Sequence, residues 1–251
     1  MRIRRRYAVL LAVAAAGALA VTSVALAASS SSFSFKFSPS SVPKLSYKAG
    51  SLFTDLRTSY TAPADPVERT QIYLDKDFKI TPSAAGKCSA SQLSAKTMAQ
   101  AMAACKSALV GTGKAQAQAS FGKVNACVLL FNGQPQAGHP TLQVFTRAQA
   151  TPNSQISCTD PAHNNQGNAT VLLTGVLKPV SSPLYGHVLD VNNITQASPF
   201  PLTVYTTTIK KGNYVSARCH ATNKTWDMQI KWTYKSGKST TLHKTQGCTV
   251  A

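Results

Sequence analysis

The chain has 251 residues, with 26 lysines and arginines against 8 acids and a formal net charge of +18. Such an excess speaks to partners and not to fold, and it points to anionic polymers or surfaces. So few acids leave little material for the carboxylate pair of a glycosidase, and no local signature marks one.

Residues 1–27 read as a secretory signal. Arg2, Arg4, Arg5 and Arg6 form a positive start, Tyr7 to Val24 is nearly uncharged, and Ala25-Leu26-Ala27 offers small residues for cleavage before Ala28. The competing reading is an uncleaved anchor, because the apolar run approaches the length that spans a bilayer. The Ala-x-Ala followed by serines favours cleavage. What remains is still strongly basic and has no second apolar run, so a secreted, extracellular or envelope-associated chain with no transmembrane segment is expected.

Residues 28–32 form a Ser-rich tether, and 33–251 read as one β domain. Phe33, Phe35 and Phe37 alternate with Ser34, Lys36 and Ser38, the period-two mark of a half-buried strand. Further strands are predicted at Leu45 to Thr61, Arg69 to Phe78, Lys114 to Phe121, Val124 to Phe131, Thr141 to Ala150, Ala169 to Val180, Tyr185 to Ile194 and Leu202 to Lys210. Thr151 to Gly167, rich in Pro, Asn, Asp and Gly, is the longest candidate loop. Frequent turn signals without β-helix-β alternation predict a mainly β, antiparallel sandwich-like fold.

The one helical stretch is an insert at 89–106. Ser89 with Gln92 and Thr97 with Gln100 both fit the capping box, which implies two short helices. A single helix would hold Cys88 and Cys105 roughly 24 Å apart, beyond disulfide reach of about 4.4 to 6.8 Å. Pairing them therefore requires a fold-back near Ala95 to Thr97. One continuous helix with each cysteine paired elsewhere is the other possibility. Gly111 and Gly113 are expected to stop the insert as a helix C-cap.

The last strands carry the clearest alternation: Trp226, Met228, Ile230, Trp232 and Tyr234 against Asp227, Gln229, Lys231, Thr233 and Lys235. A two-residue turn at Ser236-Gly237 sets Lys231 opposite Leu242 and Gln229 opposite Lys244. That register gathers Lys231, Lys235, Lys238 and Lys244 on the face away from the tryptophans, a candidate polyanion-binding face.

Cys88, Ala-Ala-Cys105 and Ala108-Leu109-Val110-Gly111-Thr112-Gly113, with Ser216-Ala217-Arg218-Cys219 and Cys248, resemble a group of secreted actinobacterial proteins to which no activity is attached. The resemblance covers most of the chain beyond the signal. It implies recurring pairs within Cys88, Cys105, Cys219 and Cys248, with Cys127 and Cys158 as an addition. The six cysteines allow fifteen connectivities. The framework expected is Cys88–Cys105, Cys127–Cys158 and Cys219–Cys248, next neighbours in sequence, the middle pair by elimination.

Candidate chemistry is sparse. His139, His163, His187, His220 and His243 show no zinc spacing, and His187 and Asp190 fall on opposite strand faces. Asp75 and Asp77 share a face, but two side chains do not fill a calcium shell, and a solvated strand end is the plainer reading. Gly111-Thr112-Gly113-Lys114 lacks the phosphate-loop spacing, and no G-x-S-x-G elbow is present. No cofactor, metal or specific nucleic acid is expected. The function these observations suggest is non-enzymatic binding or structure, contacting an anionic wall polymer. The alternative is a secreted hydrolase with a site assembled from scattered residues.

Overall fold

The computed structural model describes residues 31–58, 65–149, 158, 166–197, 201–220, 222 and 224–251. The expected signal segment and most of the loop 151–167 lie outside the described residues. The tether reading ends early, because Ser31 and Ser32 already pair with Thr58 and Arg57.

The chain opens with β1 (Ser31–Ser38), β2 (Ser41–Val42), β3 (Lys48–Ala49), β4 (Ser51–Thr58), β5 (Val67–Asp75) and β6 (Phe78–Ile80). The insert holds α1 (Ala90–Leu93) and α2 (Met98–Ala104). Long strands follow as β7 (Leu109–Ala119), β8 (Gly122–Asn132), β9 (Thr141–Gln149), β10 (Gln166–Pro179) and β11 (Tyr185–Val191). After a short α3 (Ile194–Ala197) come β12 (Leu202–Ile209), β13 (Val215–Ala217), β14 (Thr225–Tyr234), β15 (Ser239–Gly247) and β16 (Thr249–Val250).

Eleven strands form one antiparallel sheet in the order β1-β4-β12-β7-β8-β9-β10-β11-β5-β14-β15. The mainly β, antiparallel expectation holds, but the layering differs from a sandwich. The sheet curls until β15 meets β1, a nearly closed barrel. Closure is completed by a side chain: the Phe37 N–H donates to Gln246 Oε1 at 2.6 Å, and Gln246 Nε2 donates to the Phe37 carbonyl at 2.8 Å. The amide of Gln246 thus does for the outer edge of β1 what a neighbouring peptide would do. Beside it β16 pairs in parallel with β2, Thr249 with Ser41 and Val250 with Val42.

One end of the barrel is plugged. A small sheet, β3-β13-β6, sets Val215 and Ala217 against Phe37, Phe78 and Trp226, whose rings meet at 5.2 to 5.5 Å. Asp77, fully buried in the turn between β5 and β6, accepts from Arg218 Nε at 2.9 Å and from the His220 N–H at 3.0 Å. Asp75 accepts the N–H groups of Asp77 and Asp227, each at 2.8 Å. Neither acid is a solvated strand end; both fasten backbone that would otherwise be orphaned.

The helical insert lies outside the barrel. Both capping boxes form, at Ser89 with Gln92 and at Thr97 with Gln100, and Ala95 at φ +56° turns the chain between the helices. Leu93, Met98 and Ala101 cover Leu129, Phe131 and Phe145 on the outer face of β8 and β9. Arg147 Nη1 donates to the Lys96 carbonyl at 2.8 Å and holds the insert down. The disulfides are Cys88–Cys105, Cys127–Cys158 and Cys219–Cys248, with Cα separations of 5.6, 5.3 and 5.9 Å. All three expected pairs are present.

Gly111 and Gly113 are not a helix cap. They lie inside β7, where an added Cβ would stand 2.5 and 2.0 Å from the carbonyl oxygens of Thr208 and Thr206 on β12. They let the two strands approach closely.

Replacing Gln246 by leucine keeps the bulk and leaves both Phe37 backbone groups without their partner. The expected loss is roughly 1–3 kcal/mol, read by urea unfolding, together with faster hydrogen exchange at the Phe37 amide. Unchanged exchange there would show that the amide does not close the seam.

Candidate functional site

The barrel interior is built rung by rung from alternate residues of each strand. One rung runs Phe33, Leu56, Tyr205, Ala115, Ala126 and Ala148 across β1, β4, β12, β7, β8 and β9. The next runs Phe35, Thr54, Thr207, Gly113, Val128, Thr146 and Val171. A third runs Phe37, Leu52, Ile209, Gly111, Leu130, Val144 and Leu173. In every rung the β1 position is phenylalanine and the β7 position is glycine or alanine, and in the first rung β7, β8 and β9 all present alanine.

Barrel diameter grows with strand number, and eight strands already leave an interior just wide enough for side chains to fill. Eleven strands with small residues on one wall leave a void. It has a volume of about 450 Å³, bordered by Leu130, Val144, Leu173, Leu189, Met228 and Trp232 among others, with Ala115, Ala126 and Ala148 near Tyr205. That size lies in the range of small-molecule pockets. None of the described residues lining it is charged.

Its polar groups are few and mostly paired. Thr54 and Thr207 share a hydrogen bond at 2.8 Å, Thr203 Oγ1 donates to the Gln116 carbonyl at 3.0 Å, and Thr146 Oγ1 donates to the Val171 carbonyl at 3.3 Å. Tyr214 stands near Asn132, and burial pushes its phenol up to about 12. Burial likewise raises the Tyr205 phenol above its ordinary value.

The lysine face expected from the last hairpin does not assemble. The Tyr234 N–H donates to the Lys238 carbonyl at 2.9 Å and the Gly237 N–H to the Tyr234 carbonyl at 2.8 Å, which makes a three-residue loop with Gly237 at φ +84°. The observed register sets Lys231 opposite Thr241, Gln229 opposite His243 and Met228 opposite Lys244. One residue of slip moves every side chain of β15 to the other face. Lys244 therefore leaves the face that Lys231 occupies, while Lys235 and Lys238 sit exposed at the loop.

Sequence reasoning also missed a convergence on the outer surface. Tyr185 OH donates to Asp227 Oδ1 at 2.5 Å and lies 3.1 Å from His243 Nδ1, tying β11 to β14 and β15 across β5. A hydroxyl, an acid and a histidine meet here, but on the outer face of the sheet. Burial first, then the Asp227 hydrogen bond and the charges of Asp227 and Asp75, raise the phenol and keep it protonated. It is a donor, not an activated nucleophile. No group of three or more His, Cys, Asp or Glu able to hold a metal occurs among the described residues.

The acids are engaged inside the protein. Asp190 takes two bonds from Arg69, both at 2.7 Å, and one from Lys178 at 3.1 Å. Asp55 pairs with Arg57, Asp65 holds Ser236, and Glu68 accepts from Thr195. With Asp75, Asp77 and Asp227, this accounts for every acid among the described residues, and Arg57, Arg69, Lys178 and Arg218 pair with them there. No helix among the described residues is long and apolar enough to cross a membrane. The chain matches no protein-family model, no curated protein and no solved structure.

Burial of Asp190 opposes its ionisation, yet the hydrogen bonds and charges of Arg69 and Lys178 outweigh burial and hold it below the usual carboxylate range. Its pairing then stabilises the fold above its unfolded value of about 3.9, and the contribution is lost as pH falls through the lower folded value. Because Arg69 is partly solvated, Arg69→Met is expected to cost roughly 1–2 kcal/mol at pH 7. The gap to wild type should close toward pH about 2–3, measured by urea unfolding at both ends of that range.

Proposed function

We propose that this is a secreted, non-enzymatic binding protein that carries an apolar small molecule inside its barrel. The observation that carries this reading is the uncharged void of about 450 Å³ behind the β7–β9 wall. Protein interiors close-pack to the density of organic crystals, and a core serving stability alone gains from filling such a space, since empty volume costs dispersion contacts. Ala115, Ala126 and Ala148, which line it, keep it open. The three disulfides suit an oxidising compartment. Hydrolytic chemistry draws no support from the outer-face cluster, whose phenol is held protonated.

A naphthylamine fluorophore is expected to bind saturably at one site per chain with a blue-shifted emission. Ala126→Phe, which extends a ring into the void, should weaken that binding by about tenfold or more while leaving the circular dichroism spectrum unchanged, a loss of roughly 1.4 kcal/mol. Absence of any saturable binding to the wild type would remove the reading.

A second reading concerns the exterior. With the acids engaged internally, the basic surface supports retention by an anionic wall polymer, in which Lys231, Lys235 and Lys238 take part and Lys244 belongs to the other sheet face. Retention on a heparin matrix should fall steeply with salt, as counterion release requires, and the triple Lys→Gln variant should elute earlier. Elution of that variant at the wild-type salt would exclude the hairpin lysines from the contact.

A further inference from the structure

We infer that the cavity selects an uncharged lipid that carries a hydroxyl or carbonyl oxygen, and that Tyr205 is the residue that meets this oxygen. The inference rests on the carrier reading above and names the class of its ligand.

The first support is the wall. No Lys, Arg, His, Asp or Glu is among the described residues lining the void. An ionised carboxylate or ammonium entering it would lose its hydration and gain no counter-charge, a cost that a neutral molecule of the same shape does not meet. This holds although the exterior is strongly basic: the positive charge lies on the far side of the sheet from the ligand.

The second support is where hydrogen-bonding capacity is left over. A tyrosine hydroxyl facing an apolar space ordinarily finds a partner, and Tyr205 is half-buried. Tyr205 stands in the rung between Leu56 and Ala115 and lines the void. Among the described residues no acceptor takes its hydroxyl, and burial alone raises its phenol, with no hydrogen bond or charge contributing. The neighbouring hydroxyls are already engaged, Thr54 with Thr207 and Thr203 with the Gln116 carbonyl. Geometry then sets the ligand's direction. Tyr205 is in the outermost of the three rungs, and from there toward the plugged end the wall passes Thr54, Thr207 and Thr146, whose hydroxyls are already engaged, and reaches Leu130, Val144 and Leu173. An oxygen at Tyr205 and a hydrocarbon body directed at the plug match that gradient.

The test uses 1-dodecanol, dodecanoate and dodecane as displacers of the naphthylamine fluorophore from the full chain at pH 8, against wild type and Tyr205→Phe. For the wild type, dodecanol should displace about tenfold or more tightly than dodecanoate. That gap should narrow at pH 4, where the acid is neutral. Tyr205→Phe should weaken dodecanol by about fivefold, the equivalent of one hydrogen bond, and leave dodecane unchanged, which also shows that the variant is folded. Dodecanoate binding as tightly as dodecanol at pH 8, or equal dodecanol affinity in the two proteins, overturns the inference while the carrier reading stands. Failure of all three displacers, with no saturable fluorophore binding, overturns both.

Discussion

The outer edge of β1 is the constraint on which the barrel depends. A strand edge carries a row of unpaired N–H and C=O groups that must be satisfied, and β15 approaches that edge without joining it in a regular ladder. The side-chain amide of Gln246 answers both Phe37 groups, and the parallel pairing of β2 with β16 continues the closure. With the seam shut, Phe33, Phe35 and Phe37 face an enclosed interior in place of solvent, and the plug of Phe78, Val215 and Trp226 has a wall to pack against. Without it the same residues would line one open apolar sheet.

Charge and volume are partitioned by that closed wall. Inside, the phenylalanines of β1 and the tryptophans of β14 crowd one side while Ala115, Ala126 and Ala148 face the void on the other, so packing is dense at the plug and looser beside those alanines. Outside, each described acid is tied to a neighbour, and the helical insert covers Leu129, Phe131 and Phe145, which would otherwise be an exposed apolar patch. The insert therefore protects the outer face and cannot fill the inner one. An uncharged chamber inside a basic shell is the outcome.

Features set by near neighbours in the chain were legible in the sequence. The two capping boxes, the fold-back near Ala95 and the three disulfides all depend on separations of 31 residues or fewer. The inward face of the Trp226 strand was legible too, because burial follows alternation directly. The pairing of its hairpin was not, since Ser236-Gly237 suits a two-residue turn and Gly237 equally suits the left-handed third position of a longer loop. A single residue there decides the side on which Lys244 lies. Asp75 and Asp77 read as solvated because the groups they hold, the N–H of Asp227, the N–H of His220 and the guanidinium of Arg218, come from far along the chain. The cavity had no linear signature at all. It arises from the ratio of small to large residues on strands that only the sheet order makes neighbours, and alanine or glycine at one position of a strand carries no sign of what faces it.

The seam also orders events in time. Its closing bond joins positions 209 residues apart, and the strand order makes β4 wait for β12 and β5 for β14, as the seam makes β1 wait for β15. Chains dominated by such distant contacts fold slowly, because loop-closure entropy is lost before any contact compensates it. Until β15 has arrived, the three phenylalanines of β1 and the whole inner wall stand open to water and to other chains. The interval before closure, more than the finished barrel, is when this protein is exposed to aggregation.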